Sequence, residues 1–312
     1  MTYTWRPLET ADLQRWSAFT KIVSDADDTD EAFSADDLAE ELDDSAIDPT
    51  QDTIAVEDEH GTLVAVGQVR SPMLRGDGTA RADFAGSVHP EHRGRGIGAE
   101  LLDRLQRRAG TFANERYPGA PVQVRTHAGA KVAAARALLE AHGYGATRYF
   151  HGLSRALDDV DVDVADLDDP RVQPYDVARD AEVHAAHCDA FSTHWGFAPP
   201  TDEQWRTWLT GSRTFRPGCS VLGLGADGSV EGYLLTYQYD PGEIWVGQLG
   251  VRPPARGRGL ARAMLLRTLA LAAPSFTIVK LEVDGESADG AGRLYESVGF
   301  TRDRSSVIYE LR

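Results

Sequence analysis

The sequence predicts an α/β fold laid down twice in tandem, and three observations carry that expectation. The stretch "VHPEHRGRGIGAELL" (Val88 to Leu102) returns as "VRPPARGRGLARAML" (Val251 to Leu265). The elements around each copy follow the same order, as expected of a duplicated unit. Each half also closes on a helix running into a Gly-aromatic pair, "ALLEAHGY" and "RLYESVGF". A chain of 312 residues, 42% of them hydrophobic, is long and apolar enough to bury two ordinary cores.

"YTWRPLETADLQRWSAFTKIV" reads as a short strand followed by a helix, and "RVQPYDVARDAEVHAAHCDAF" repeats that plan. Apolar strand pairs come next, "TIAVEDEHGTLVAVGQVR" and "CSVLGLGADGSVEGYLLTYQYD". They turn at Glu59-His60-Gly61 and Asp227-Gly228, the polar-glycine chemistry of a hairpin. A further strand leads into the Gly-Arg pattern, and then a helix places Leu101, Leu102, Leu105 and Leu265, Leu266, Leu269 at helical spacing. Another strand and a second helix complete each half. Between them "LDDVDVDVADLDDPRVQP" is acidic and proline-punctuated, which reads as a linker, with Val160, Val162 and Val164 offering at most an edge strand. The expected division is residues 1–156, a linker over 157–170, and 171–312. The acidic stretch Ser24 to Asp44 reads as a solvated helix face with a loop, an amine-attracting rim over the first cleft being the sharper alternative.

Composition excludes several classes of function. A formal charge of −17 opposes a nucleic-acid partner, since phosphate backbones attract the opposite sign. It weakly favours a cationic or amine-bearing substrate, although surplus aspartate acts first on solubility. Cys188 and Cys219 lack metal-ligand spacing and give no reason for a disulfide, so no metal and a reducing, cytoplasmic setting are expected. "MTYTWRPLETADLQRW" has no basic region followed by an apolar core, so no secretory signal is expected. The most apolar helical stretch, "LARAMLLRTLALAA", is interrupted by Arg262 and Arg267, so no membrane span is expected.

The repeated loop is built to hold an anion. Arg-Gly-Arg-Gly between strand and helix exposes backbone N–H groups, and the helix adds the positive end of its dipole. Glycine lets the chain adopt costly angles and lets a phosphate approach the backbone. A diphosphate is the natural guest. The P-loop reading fails because no Gly-Lys-Ser/Thr follows. Gly94-Arg95-Gly96-Ile97-Gly98-Ala99 loosely satisfies the dinucleotide fingerprint. That motif, however, needs an apolar strand running straight into its first glycine. Here Pro90-Glu91-His92-Arg93 intervenes, and Gly257-Arg258-Gly259-Leu260-Ala261-Arg262 lacks the third small residue.

The pattern instead resembles the GNAT family of acetyl-CoA-dependent N-acetyltransferases. Its Arg/Gln-x-x-Gly-x-Gly/Ala signature is met by Arg93, Gly96, Gly98 and by Arg256, Gly259, Ala261. The preceding Val-x-Pro is met at Val88-His89-Pro90 and Val251-Arg252-Pro253, and the closing Leu-Tyr-x-x-x-Gly-Phe at Leu294 to Phe300. The resemblance implies two GNAT folds, each a mixed, mostly antiparallel twisted sheet flanked by helices. It also implies acetyl-CoA bound at Val88 and Arg93, Gly94, Arg95, Gly96, Ile97, Gly98, and again at Leu249, Gly250, Val251 and Arg256, Gly257, Arg258, Gly259, Leu260, Ala261.

Amine acetylation requires a deprotonated amine, a polarised thioester carbonyl and a proton for the departing thiolate. The family implies main-chain N–H groups around Leu249 to Val251 for the acetyl oxygen, and Tyr295 as the acid beside the sulfur, with plain packing as the competing role. Glu243, eight positions before Val251, is the candidate base unless a bulge resets the strand's alternation; a solvated turn residue is the alternative. In the first copy, eight before Val88 is Ala80, and four before Gly143 is Leu139, so both proton-handling positions are blank. Asp83 is close, but its odd spacing from Ala80 puts it on the other face. The first half is therefore expected to bind coenzyme A without performing transfer. His194 and Trp195 are candidate acceptor contacts, with His187 as an alternative base. The expected partner is a small-molecule amine. A non-catalytic acyl-CoA sensor and a protein or peptide amine acetyltransferase are the rivals.

Overall fold

The computed structural model describes residues 2–158, 169–286 and 291–312. The expected linker and its three valines lie almost wholly outside those residues. The chain forms two compact units, Met1–Phe150 with Arg304–Arg312, and His151–Asp303. The sequence assigned everything from 171 onward to the second domain. The last nine residues pack instead with the first unit.

In the first unit, β1 (Thr4–Arg6) precedes α1 (Leu13–Asp27), α2 (Ala35–Leu42) and the single turn α3 (Pro49–Asp52). There follow β2 (Thr53–Glu57), β3 (Leu63–Val69), the short β4 (Met73–Leu74) and β5 (Ala80–Val88). Next come α4 (Ile97–Arg116), β6 (Val122–Gly129), α5 (Ala133–Ala141) and the first part of β7 (Tyr144–Ala156). β1, β2, β3 and β5 pair antiparallel, whereas β5 and β6 run parallel. Ser306 to Glu310 of β13 (Thr301–Leu311) complete this sheet by pairing antiparallel with Gly129 to Arg125. Val307 and Tyr309 are fully buried there. The expected turn holds: Gly61 has φ of 78°, and Asp58 Oδ1 accepts from the N–H groups of His60 and Thr62.

The acidic stretch 24–44 is more tightly engaged than a solvated face. Leu38 is buried, Asp27 pairs with Arg93, Asp28 with Lys131, and Glu31 with His127.

The second unit repeats the plan. β8 (Val172–Pro174) leads to α6 (Asp180–Phe191) and α7 (Asp202–Trp205). β9 (Val221–Leu224), β10 (Val230–Tyr237) and β11 (Glu243–Val251) follow, then α8 (Leu260–Ala272), β12 (Ile278–Asp284) and α9 (Ala291–Ser297). β8 to β11 pair antiparallel, and β11 runs parallel to β12. One face of the sheet packs Ile244, Val246, Val279 and Leu281 against Leu260, Met264, Leu265 and Leu269 of α8. These four helix residues are at most 2% exposed. Each buried side chain of that size contributes roughly 1.5–3 kcal/mol, so the apolar spacing seen in the sequence fixes which side of the helix faces the sheet. The opposite face packs Tyr233, Leu235, Tyr237 and Trp245 against Val183 and Ala186 of α6 and Trp205. Among the described residues no helix is long and apolar enough to cross a membrane, no metal-holding cluster occurs, and both cysteines are free.

Candidate active site

In each unit two parallel strands part and leave a fork. The β11–β12 ladder runs from Glu243↔Ile278 to Val246↔Leu281 and then stops, although both strands continue. The β5–β6 ladder likewise stops at Asp83↔Arg125. The remainder of β11 stays paired with β10. Arg252 N donates to Glu231 O, and N–H directions alternate along a strand, so the N–H groups of Leu249 and Val251 point into the fork. In the first unit His89 N donates to Val64 O, which aims the N–H groups of Gly86 and Val88 the same way.

One irregularity separates the two forks. Between β10 and β11 the register skips from Leu235↔Gln248 to Thr236↔Val246, leaving Gly247 as a bulge. The corresponding β3–β5 ladder runs without interruption from Ala65↔Val88 to Val69↔Phe84. A bulge bends its strand and re-aims the residues beyond it. Glycine is required there, because a Cβ on Gly247 would sit 2.5 Å from the Tyr237 ring. Gly250 is constrained in the same way, since its Cβ would lie 2.5 Å from Tyr233.

Beyond each fork the chain makes a 3-10 turn, Pro90–His92 or Pro253–Ala255, and enters its helix through paired left-handed glycines. The φ values are 73° and 84° at Gly94 and Gly96, and 75° and 76° at Gly257 and Gly259. Most other residue types in that conformation cost about 1–2 kcal/mol. A Cβ at any of the four would meet nothing within 4 Å, so the loop's outer face is open. Neither Gly96 nor Gly259 supplies a side-chain cap, leaving the first-turn N–H groups of α4 and α8 for an anion. This donor set fits a pyrophosphate in both units.

The arginines serve differently from what the sequence suggested. Arg93 Nε donates to Val88 O, and its two terminal nitrogens each lie 2.8 Å from Asp27. Arg256 Nε donates to Val251 O and its Nη2 to Ala190 O. Both guanidinium groups thus strap the strand end to the last turn of α1 or α6. Arg95 donates to Glu91 O, and Arg258 pairs with Glu231. What the loop offers an anion is therefore its main-chain N–H groups. Ile97 and Leu260 are core residues at the helix start, while Gly98 allows close packing, since a Cβ there would fall 3.3 Å from Leu138.

Tyr295 lies on α9, 8% exposed, with its ring edge-on to Phe300 at 6.0 Å in the core that includes α8. Leu139 takes the matching slot in the first unit. Glu243 is not brought to the fork. It stands at the closed end of the ladder, 2.5 Å from Lys280 Nζ. Six residues separate it from Leu249, roughly 20 Å at about 3.3 Å per residue. Its carboxylate neutralises a buried lysine, and the base assignment made from spacing is corrected on that ground.

The bulge also corrects the count made for the first copy. Ala80, Ala82 and Phe84 face α4, as Ile244 and Val246 face α8. Arg81, rather than Ala80, is therefore the counterpart of Glu243, and Asp83 that of Trp245. Asp83 is held by Arg81 and Arg125, each at 2.8 Å, so its carboxylate is spent on ion pairs.

His187 is no base either. It is 7% exposed, packed among Phe191, Phe197 and Trp205, with Nδ1 2.6 Å from Tyr233 Oη. Burial, and secondarily His184, pushes its pKa down to about 4. The unfolded chain binds this proton near the ordinary value of 6.5, so between pH 6.5 and 4 it holds more protons than the folded one. Stability should therefore fall as pH drops through that window, by roughly 3 kcal/mol from this group. Urea unfolding of wild type and His187→Phe across pH 4–7 checks this, and the variant should lose that component of the slope. His194 and Trp195, by contrast, are half-buried just past α6. His194 Nε2 lies 3.8 Å from Asp284 Oδ2 at the end of β12.

Comparison with known proteins agrees with this geometry. Residues 181–300 match the acetyltransferase (GNAT) family, and residues 50–145 match the acetyltransferase (GNAT) domain. The chain is 33% identical over 268 residues to a mycothiol acetyltransferase of Kineococcus radiotolerans, covering 81% of this chain and 80% of that protein. This protein belongs to the GNAT family. A mycothiol acetyltransferase of Nocardiopsis dassonvillei is 30% identical, covering 71% of this chain and 72% of its own length. Among solved structures, a GCN5-related N-acetyltransferase from Sphaerobacter thermophilus superposes with a TM-score of 0.75 at 25% identity, covering 99% and 95% of the two chains. A tandem GNAT protein from the clavulanic acid biosynthesis pathway has a TM-score of 0.71 at 17% identity, covering 99% and 98%, a likeness of fold alone. The chain carries two GNAT domains in tandem and is an acyltransferase of a family that uses acetyl-CoA or acyl-CoA as cosubstrate.

Proposed function

We propose that the second unit moves an acetyl group from acetyl-CoA to a primary amine of a small molecule, by direct attack in a ternary complex. The first unit holds coenzyme A without turning it over. The observation that carries this reading is the Gly247 bulge, present at one fork and absent from the other, together with the N–H groups of Leu249 and Val251 directed into the bulged fork.

Those amides polarise the thioester carbonyl and stabilise the charge that develops on its oxygen. The Gly257–Gly259 loop and the start of α8 hold the pyrophosphate. Tyr295 protonates the departing thiolate. In the first unit Leu139 has no proton to give, and Asp83 is locked between two arginines. A small-molecule acceptor is supported by relatives named for mycothiol, and the charge of −17 favours a cationic one.

The test is thiol release from acetyl-CoA with the purified chain and a panel of amines: cysteamine, tyramine, glucosamine, spermidine and a lysine peptide. Release well above hydrolysis with a small amine is expected. Release with the peptide alone would favour protein acetylation. Binding of coenzyme A without release would favour a sensor.

A further inference from the structure

We infer that the acceptor's ammonium group docks between His194 and Asp284, with His194 taking its proton. The inference rests on the transferase reading of the second unit and supplies the base that Glu243 cannot be. Asp284 lies three residues past Leu281, where the ladder ends, and so stands level with Leu249 and Gly250 across the fork. Val279, Leu281 and Val283 face α8, so alternation puts Lys280, Glu282 and Asp284 on the opposite face. That is the side from which His194 approaches, just beyond α6.

His194 Nδ1 is 3.2 Å from Trp195 O. A carbonyl can only accept, so Nδ1 carries a hydrogen toward it, and Nε2 is the ring atom left to exchange a proton. That nitrogen lies 3.8 Å from Asp284 Oδ2, too far for a direct hydrogen bond. A primary ammonium has hydrogens enough to donate to Nε2 and to a remaining lone pair of Oδ2 at once. His194 is 29% exposed at its side chain and Asp284 only 2%, so the ammonium enters past the imidazole toward a fixed, buried charge. Asp284 is itself oriented by the N–H of Glu286, 3.0 Å from Oδ1.

The first unit differs at this place. Asp83 pairs with Arg125 as Trp245 pairs with Lys280, so four residues further on the counterpart of Asp284 is Gly129, which has no side chain to receive an ammonium. The non-transferring fork thus lacks an ammonium seat as well as a proton donor.

The reaction balances around this pair. Nε2 removes one proton from the ammonium, and the freed lone pair attacks the thioester carbonyl carbon. The C–N bond forms and the C–S bond breaks. The nitrogen's second proton, lost as the amide forms, balances the one given to the thiolate. The net proton leaves for solvent on the imidazole. The seat also sets a substrate class. A carboxylate on the carbon next to the nitrogen would lie close to the buried Asp284 side chain, so amines lacking one are preferred over the parent amino acids.

The experiment compares wild type, His194→Ala and Asp284→Asn, using tyramine against tyrosine and cysteamine against cysteine. In wild type, tyramine and cysteamine should give kcat/KM at least about 10-fold above their amino acids. His194→Ala should lower kcat/KM for the amine about 30-fold or more, leave KM for acetyl-CoA within about 2-fold, and recover part of its rate on addition of free imidazole. Asp284→Asn should raise KM for the amine about 10-fold. Should it fail to fold, the half-exposed His194 variant decides alone. Preference for the amino acids, His194→Ala within about 3-fold of wild type, or a loss that imidazole does not restore would each overturn the inference while leaving the transferase reading intact. No transfer by wild type to any amine would overturn that reading itself.

Discussion

Replacing Tyr295 by phenylalanine should lower kcat by about 100-fold or more while coenzyme A binds as before. The substitution removes one hydroxyl and keeps the ring, which packs edge-on against Phe300 in the core. Packing and cofactor affinity should therefore survive. A positioned general acid contributes roughly 10²- to 10⁴-fold, and this fork has no second phenol assigned to replace it. The first unit supplies an internal control, since Leu139 fills the same slot without a hydroxyl and is equally buried. Steady-state kinetics on the most active amine, with calorimetric titration of coenzyme A, separates the two effects. A loss below about 3-fold in kcat would make Tyr295 a packing residue.

Much of the fold is written in local chemistry that a sequence displays openly. Gly61 and Gly228 mark hairpins because only a left-handed residue closes them without strain, and both have positive φ. Gly94, Gly96, Gly257 and Gly259 mark the anion loops for the same reason. Leu101, Leu102 and Leu105 name the buried side of α4 by their spacing alone.

What stayed hidden depends on pairing between distant segments. Val246-Gly247-Gln248 reads as ordinary alternation, and only its partners Leu235 and Thr236 show that one residue is extra. That single residue put the counterpart of Glu243 at Ala80 instead of Arg81. The tail is hidden in the same way, because nothing in Val307 or Tyr309 says that their strand lies beside Thr126 and Ala128. Arg93 and Arg256 looked like phosphate ligands because their reach to Asp27 and Ala190 depends on where α1 and α6 end. His194 was visible as a residue, but its partner Asp284 lies ninety positions away and carried no signal of its own.

The account stands most directly on which fork transfers, and matched substitutions at the two loops test it. Gly96 and Gly259 share a left-handed conformation, with open space where a Cβ would go. Aspartate tolerates that conformation better than most residues, so Gly96→Asp and Gly259→Asp should both fold. Each places a carboxylate in an anion cradle, where like-charge juxtaposition costs several kcal/mol. Acetyl transfer from acetyl-CoA should fall about 100-fold or more in kcat/KM with Gly259→Asp and stay within about 3-fold of wild type with Gly96→Asp. Full activity in Gly259→Asp with loss in Gly96→Asp would place the chemistry in the first unit and contradict the account.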